Sequence, residues 1–146
     1  IAPMRMLNRA PADALAAIDG VHACTDITGF GLIGHATEMA DASRVTLGIR
    51  ATDVPLFSGV VDLVKKNKSG GMTNNREHFE VGVDVSGTVP GELEDLLYDP
   101  QTSGGLLLSI DQLQTDLAIE LLERAGVKAA RIGAVSRRGD KALQIR

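Results

Sequence analysis

The sequence predicts an α+β fold, which could equally be described as α/β layers, with helices flanking a mixed β-sheet. Short segments with strand-like patterns alternate along the chain with segments of helical periodicity. The 146 residues are 44% hydrophobic and 23% charged, which is the composition of a globular protein rather than a disordered one. This length suits one domain with a hydrophobic core, so we expect residues 1–146 to form a single domain.

The first third of the chain predicts two helices and two strands in alternation. Residues 4–18 show helical spacing of apolar residues, and Pro11 is expected to kink or break this helix. Residues 21–27 predict a strand, and a glycine-punctuated segment then leads into a helix that ends near Ala40. Residues 45–50 alternate between apolar and polar and predict a second strand.

The middle of the chain is more polar. Residues 59–66 predict a helix, and the polar stretch 67–78, with its paired glycines and paired asparagines, predicts a mobile loop. Residues 79–85 alternate like a strand, residues 90–97 predict a short helix that begins at a proline, and residues 106–110 predict a buried strand.

The end of the chain contains the clearest helical pattern. Asp111 is placed to cap a helix that runs to Ala125, with Gly126 after it as the stop signal. Residues 130–136 and 142–145 predict two closing strands, joined by a hairpin turn at residues 137–140.

Composition argues against several classes of function. The net charge of -4 and the aromatic content of 3%, without tryptophan, give no reason to expect a nucleic-acid partner. No apolar run approaches the ~18 residues that a membrane span needs, so we expect a cytoplasmic protein without membrane contact. The single cysteine, Cys24, excludes an internal disulfide and a multi-cysteine zinc site, and we expect it to be buried and inert.

Two polar segments are candidates for chemistry. In residues 25–31, Asp26 ends a predicted strand, and Thr28, Gly29 and Gly31 precede a helix, where backbone N–H groups favour an anion. Mg²⁺ between that anion and Asp26 would join the two. The simpler interpretation is that Thr28 caps a helix and Asp26 lies on the surface. The second segment, residues 99–105, has a glycine pair that suits either a ligand or a tight turn.

Cations and histidines add weaker signals. The segment before residue 77 is basic and either reaches towards phosphates or is simply solvated, and the second interpretation is favoured by charge alone. His35 lacks a second ligand at metal-binding spacing and is expected to be a packing or capping residue. The basic residues are Lys65, Lys66, Lys68 and Arg76.

Taken together, the motifs resemble those of one family. Residues 23–35 (ACTDITGFGLIGH) and 97–107 (LYDPQTSGGLL) are similar to segments in the C-terminal half of selenophosphate synthetase, also called selenide, water dikinase. Gly70-Gly71-Met72-Thr73-Asn74-Asn75 resembles that family's Gly-Gly-x-x-x-Asn segment. The resemblance implies a fold like the C-terminal domain of aminoimidazole ribonucleotide synthetase. It also implies an Mg²⁺-dependent reaction of ATP, selenide and water that yields selenophosphate, AMP and phosphate.

The resemblance also implies what each segment contributes. Asp26 would be an Mg²⁺ ligand, and no catalytic residue would lie in this chain, because the family's catalytic Cys or selenocysteine and Lys belong to an N-terminal half of the same polypeptide. That half would bind most of the ATP, and the full-length protein would form a homodimer. Asn75 and the basic segment would act as a lid. The other residues that bind the phosphates or shape the cleft would be Thr28, Gly29, Gly31, Gly71, Thr102 and Ser103.

Two alternatives remain open. One is a synthetase that uses the same scaffold on another substrate, although the motif at residues 99–105 counts against it. The other is a binding or regulatory module that keeps the cleft without catalysis. Tight binding of ATP by this chain alone would favour the module.

Overall fold

The computed structural model describes residue 5 and residues 7–146. Its helices are α1 (Arg9–Leu15), α2 (Gly31–Ser43), α3 (Val60–Val64), α4 (Gly70–Phe79), α5 (Gly91–Leu97) and α6 (Thr115–Arg124). Its strands are β1 (Val21–Asp26), β2 (Val45–Ile49), β3 (Val83–Val85), β4 (Leu106–Ile110), β5 (Gly133–Arg137) and β6 (Leu143–Ile145). Short 3₁₀ turns occupy Ala51–Asp53, Glu80–Gly82 and Gln112–Gln114.

The strands form a two-stranded and a four-stranded sheet. β1 is antiparallel to β4, and the larger sheet has the order β3-β6-β2-β5, in which β2 is antiparallel to β5 and parallel to β6. The units β1-α2-β2 and β4-α6-β5 therefore face each other, since their first strands pair and their second strands pair. The predicted α+β fold with mixed pairing and flanking helices is confirmed, although the strands are divided between two sheets.

Apolar side chains form two clusters. The larger lies between α2 and the four-stranded sheet, where Ile33, Leu143 and Ile145 are completely buried. The smaller joins α1 to α6 and includes Leu15 and Leu122. In the register of the small sheet, Asp26 lies opposite Leu106, so the polar segments that flank β1 and β4 are brought to the same end of that sheet.

The prediction of a mobile loop over residues 67–78 is wrong, because most of this segment forms helix α4. Ser69 caps this helix, its hydroxyl oxygen accepting from the backbone N–H of Met72 at 3.1 Å. Met72, Asn75 and Phe79 form one buried face, and the polar residues between them lie on the outer surface. The glycine pair occupies the first turn, where a low helix propensity matters less than in the helix interior.

The strand predicted over 79–85 is shorter than expected. Phe79 ends α4 and the 3₁₀ turn follows, so only Val83–Val85 pairs, as an edge of the larger sheet. The helix expected over 4–18 contains α1, in which Pro11 sits in the first turn and causes no break, because backbone N–H groups there have no intrahelical acceptor. Residues 4 and 6 of that prediction lie outside the described residues.

The prediction that a hairpin turn at residues 137–140 joins two neighbouring strands is also wrong. β5 and β6 are not neighbours, because β2 lies between them. The connecting segment crosses the end of β2, where the N–H of Gly139 donates to the Thr46 hydroxyl at 2.9 Å. Across residue 5 and residues 7–146, none of the helices combines the length and apolar character needed to cross a membrane.

Candidate functional site

The three glycine-bearing motifs of the sequence meet in one place. The backbone N–H of Gln101 donates to the carbonyl oxygen of Thr28 at 2.9 Å, and the N–H of Gly104 donates to the carbonyl oxygen of Ile27 at the same distance. These bonds join the turn before β4 to the turn after β1. Helix α4 then packs against both turns, so segments far apart in the sequence form a single surface.

Close backbone approach explains two of the motif glycines. Gly31 has φ of +68°, and a Cβ atom there would lie 2.8 Å from the carbonyl carbon of Tyr98, which is too close for any side chain. A Cβ atom at Gly71 would lie 2.7 Å from Cγ of Pro100. Both glycines therefore allow the motifs to pack against one another.

Asn75 links the same segments through its side chain. Its amide nitrogen donates to the carbonyl oxygens of Gly29 and Tyr98, each at 2.9 Å, and the residue is only 8% exposed. Both N–H groups of the amide are thereby used within the fold. The structure thus places Asn75 beneath the surface formed by the motifs, while Gly29 itself is exposed.

Asp26 and Thr28 are two residues apart, and Asp26 is exposed while Thr28 is half-buried. The Thr28 hydroxyl is 3.1 Å from Nε2 of His35, which projects from the second turn of α2. Ile27 between them is buried, so Asp26 and Thr28 face away from the core. Within residue 5 and residues 7–146, the Asp26 carboxylate makes no hydrogen bond or ion pair.

The residues present fit part of a magnesium site. Mg²⁺ prefers oxygen ligands and is often held by one or two carboxylates together with phosphate oxygens and water. Asp26 offers an exposed carboxylate, and Thr28 offers a neighbouring hydroxyl. In the described part of the chain no three His, Cys, Asp or Glu side chains group together as metal ligands, so further ligands would have to come from elsewhere.

Thr102 and Ser103 lie in the turn that precedes β4. Thr102 is exposed and Ser103 is half-buried, and Ser103 lines an open groove of about 1300 Å³ between the two sheets. That groove is largely apolar, and its lining does not include Asp26, Thr28 or Asn75. We place the candidate site at the motif surface, where Asp26 and Thr102 are exposed, and not in the groove, whose lining is largely apolar although it includes Asp99, Gln101 and Ser103.

Most of the charge of the basic segment is already paired with acidic residues. Arg76 makes ion pairs with Glu94 and Asp95, and Lys68 also pairs with Asp95. Lys65 lies between Asp62 and Glu92. Three of the four cations of this segment are therefore held by acidic residues, most of them on α5.

Tyr98 and Asp99 have environments that change their acidity. Burial raises the pKa of Tyr98 to about 12, although the cation of Arg76, 4.7 Å from the ring centroid, opposes the shift. Burial likewise raises the pKa of Asp99, while hydrogen bonds donated by Ser69 and Gln101 oppose that rise. Asp99 is thus tied to the N-terminus of α4 through Ser69.

Sequence reasoning missed several of these relationships. The contact between His35 and Thr28 could have been suspected from their separation, since His35 follows Thr28 by a short turn and the first turn of α2. The role of Ser69 was signalled by a serine directly before the glycine pair, which is a typical N-cap position. The ion pairs of Arg76 carry no local signal, because their partners lie 18 and 19 residues away.

The prediction that Cys24 is buried is wrong. β1 alternates in burial, with Val21, Ala23 and Thr25 turned inward, so Cys24 is exposed. Partial burial and the nearby charge of Asp26 raise the pKa of the thiol. A raised pKa lowers the thiolate fraction, so the local environment does not activate this cysteine as a nucleophile.

Comparisons with known proteins find similar sequences among the selenide, water dikinases. A selenide, water dikinase from Clostridium botulinum (strain Eklund 17B / Type B) is 41% identical over 127 residues, covering 86% of this chain and 37% of that protein. One from Clostridium botulinum (strain Alaska E43 / Type E3) is 38% identical over 144 residues, covering 98% of this chain and 41% of the relative. The chain thus spans less than half the length of these relatives.

The fold is shared more widely. A crystal structure of the hydrogenase maturation protein HypE in complex with ATP superimposes with a TM-score of 0.57 at 22% identity, covering 92% of this chain and 33% of that one. Residues 2–146 match the family described as AIR synthase related protein, C-terminal domain. The chain belongs to this family of AIR synthase related C-terminal domains.

Proposed function

We propose that this chain is the C-terminal half of a selenophosphate synthetase, which forms selenophosphate, AMP and phosphate from ATP, selenide and water. The observation that carries the proposal is the joining of the three motifs into one surface beside the exposed carboxylate of Asp26. The curated relatives named selenide, water dikinase, at 38–41% identity, support the same assignment. On this proposal the remaining part of the polypeptide contributes the other half of the active site.

The residues of the surface divide into two groups. Asp26, Thr28 and Gly29 are exposed or half-exposed and would face the bound phosphates and their metal, with Thr102 and Ser103 as the opposite wall. Gly31, Gly71 and Asn75 would act indirectly, by holding the turns in the geometry that the exposed residues need. In this role α4 would be a fixed support and not a lid, because it is packed and ion-paired in place.

Mg²⁺, when bound, would neutralise charge that develops on the transferring phosphoryl groups. Asp26 would hold it from this side of the cleft, and the further ligands would come from the remaining polypeptide and from ATP. Phosphoryl transfer depends on positioned charges and donors more than on a protein nucleophile, which suits a half-site of polar walls. The binding of ATP by HypE, which shares this fold, supports ATP as the nucleotide.

The proposal extends to the whole protein. The complete polypeptide would work in the cytoplasm, where ATP is available, and would form a homodimer. The isolated chain would show no selenide-dependent turnover of ATP, because the groups that carry the chemistry belong to the remaining part. Robust formation of AMP by the isolated chain would contradict this division.

The role of Asp26 is tested by Asp26→Asn in the complete polypeptide, with selenide-dependent AMP formation measured across a range of Mg²⁺ concentrations. Loss of one carboxylate ligand should raise the Mg²⁺ concentration needed for half-maximal activity by at least about tenfold. Asp116→Asn is a matched control, since Asp116 is an exposed aspartate on α6. An unchanged Mg²⁺ dependence in Asp26→Asn would remove Asp26 from the metal site.

A further inference from the structure

Three side chains form a continuous line from the site into α2. The Thr28 hydroxyl oxygen lies 3.1 Å from Nε2 of His35, and Nδ1 of the same ring lies 3.6 Å from a carboxylate oxygen of Glu38. His35 and Glu38 are three residues apart on α2, so they share one face of the helix. The order is hydroxyl, imidazole, carboxylate, with the hydroxyl at the end that faces the site.

The charge of Glu38, 3.6 Å from Nδ1, favours one tautomer of the neutral His35 ring. A neutral imidazole has one N–H donor and one bare nitrogen acceptor, and an ionised carboxylate can only accept. A proton on Nδ1, towards Glu38, is therefore favoured, and it leaves Nε2 as an acceptor. With that tautomer, the Thr28 hydroxyl donates its single proton to Nε2.

The surroundings keep the ring in this position. The His35 side chain is only 12% exposed, and its ring lies 5.4 Å from the ring of Phe30. The carbonyl oxygen of Thr28 accepts from Gln101 and from Gly31, so the backbone that carries the hydroxyl is also held. The ring of His35 and the backbone of Thr28 are thus held in place by packing and hydrogen bonds, while Glu38 is exposed.

We infer that His35 is a positioning residue whose Nε2 accepts a hydrogen bond from the Thr28 hydroxyl. Thr28 then presents only oxygen lone pairs to its ligand. Asp26, on the same side of the segment, is likewise an acceptor. Two acceptors side by side favour a cation or a group that donates hydrogen bonds, such as water bound to a divalent metal, and disfavour direct contact with a phosphate oxygen. The inference deepens the proposed function, on which it rests, by assigning Thr28 to the metal rather than to the phosphate.

The proton positions can be measured directly on the ¹⁵N-labelled chain. Long-range ¹H–¹⁵N correlation spectra distinguish the two tautomers of each of the three histidines. We expect His35 to carry its proton on Nδ1 and expect Glu38→Gln, whose amide can donate, to shift the ring towards the Nε2–H tautomer. An Nε2–H tautomer in the unaltered chain would overturn the inference.

The ligand preference is tested on the complete polypeptide, which would supply the further metal ligands, with Mn²⁺ alone and with inorganic phosphate alone. We expect Mn²⁺ to broaden the amide signals of residues 26–28, Thr28→Val to weaken this broadening severalfold, and Thr28→Ser to restore it. Phosphate should leave these signals unmoved. Phosphate shifts that depend on Thr28, or Mn²⁺ broadening that is absent or insensitive to Thr28→Val, would overturn the inference. Neither probe involves ATP or selenide, so failure of the proposed function would be seen separately, in the activity assay.

Discussion

The side-chain amide of Asn75 donates to the carbonyl oxygen of Gly29 at 2.9 Å, across 46 residues of sequence. Its second N–H donates to the carbonyl oxygen of Tyr98, so one side chain fixes the relative position of two turns. Because these donors are already used, Asn75 supports the site from beneath and has no amide proton left for a ligand. The arrangement of the exposed residues therefore depends on a buried polar contact.

Replacing Asn75 should lower the free energy of unfolding. Asn75→Ala leaves two carbonyl oxygens without their donor, at a cost of roughly 2–4 kcal/mol. Asn75→Asp should cost more at neutral pH, because its carboxylate would face both carbonyl oxygens. Urea denaturation measures the effect, and the exposed neighbour Asn74 provides matched Ala and Asp controls. Equal stabilities for the variants at the two positions would show that the amide contacts contribute little.

Two glycines of one turn should respond differently to alanine. Gly31→Ala combines a left-handed φ with a Cβ atom 2.8 Å from backbone, and neither can relax cheaply, so we expect a loss of roughly 3 kcal/mol or more. A Cβ atom at Gly29 would meet nothing within 4 Å beyond its chain neighbours, so Gly29→Ala should change stability by no more than about 1 kcal/mol. Thermal and urea denaturation compare the two, and a Gly31→Ala variant as stable as Gly29→Ala would refute the close contact with Tyr98.

The Tyr98 hydroxyl should lose its proton at a higher pH than the hydroxyl of an exposed tyrosine, because its pKa is raised to about 12. Tyr98 is the only tyrosine, so the ultraviolet absorbance of phenolate reports on it alone. Below an unfolded pKa of about 10 both states keep the proton. As the pH rises towards the folded pKa of about 12, the unfolded state loses its proton first, and the free energy of unfolding falls. The total loss should be roughly 2–3 kcal/mol.

The control for this titration is Tyr98→Phe, which removes the ionisable hydroxyl and keeps the ring. Its stability should lack the component of the alkaline decline that comes from the tyrosine. A phenolate transition near pH 10 in the folded chain would mean that the ring is not buried as described.

Removal of the Arg76 side chain should lower the free energy of unfolding more than removal of an arginine in an exposed ion pair. Arg76 bridges Glu94 and Asp95 and lies over the ring of Tyr98, and Asp95 is only 8% exposed. We expect Arg76→Ala to cost roughly 1–3 kcal/mol, since it removes both the charge partner and the stacked guanidinium. Arg124 pairs with Glu120 on the surface of α6, so Arg124→Ala should cost less than about 1 kcal/mol. Similar losses for both variants in urea denaturation would contradict this ranking.

Local pattern was sufficient for much of the fold. The strands at β1, β2 and β4 and the helices α2 and α5 follow from alternation or helical periodicity in continuous segments. α4 was missed because its buried face includes Asn75, whose burial is compensated only by distant carbonyl groups. The pairing of β5 with β2 was missed because strand order depends on contacts between remote segments, which local alternation does not encode.

The sequence predicts the motifs of the candidate site but not the way in which they pack together. The motifs could be recognised from residue type and order, and the structure brings them together. Gly71 illustrates the limit: the resemblance implies that it binds the phosphates or shapes the cleft, and only the fold shows its contact with Pro100. Arg76 likewise looked like a free cation, and only the fold shows its acidic partners on α5. Charge and glycine content indicate where a site lies, but tertiary packing decides which groups remain available to a ligand.

The proposed function is tested most directly by phosphorus NMR of the reaction catalysed by the complete polypeptide with ATP, Mg²⁺ and selenide. We predict a product signal with phosphorus–selenium coupling that appears together with AMP, is absent without selenide, and is greatly reduced in Asp26→Asn but retained in Asp116→Asn. Turnover of ATP at the same rate with and without selenide, with no phosphorus–selenium bond formed, would contradict the proposal.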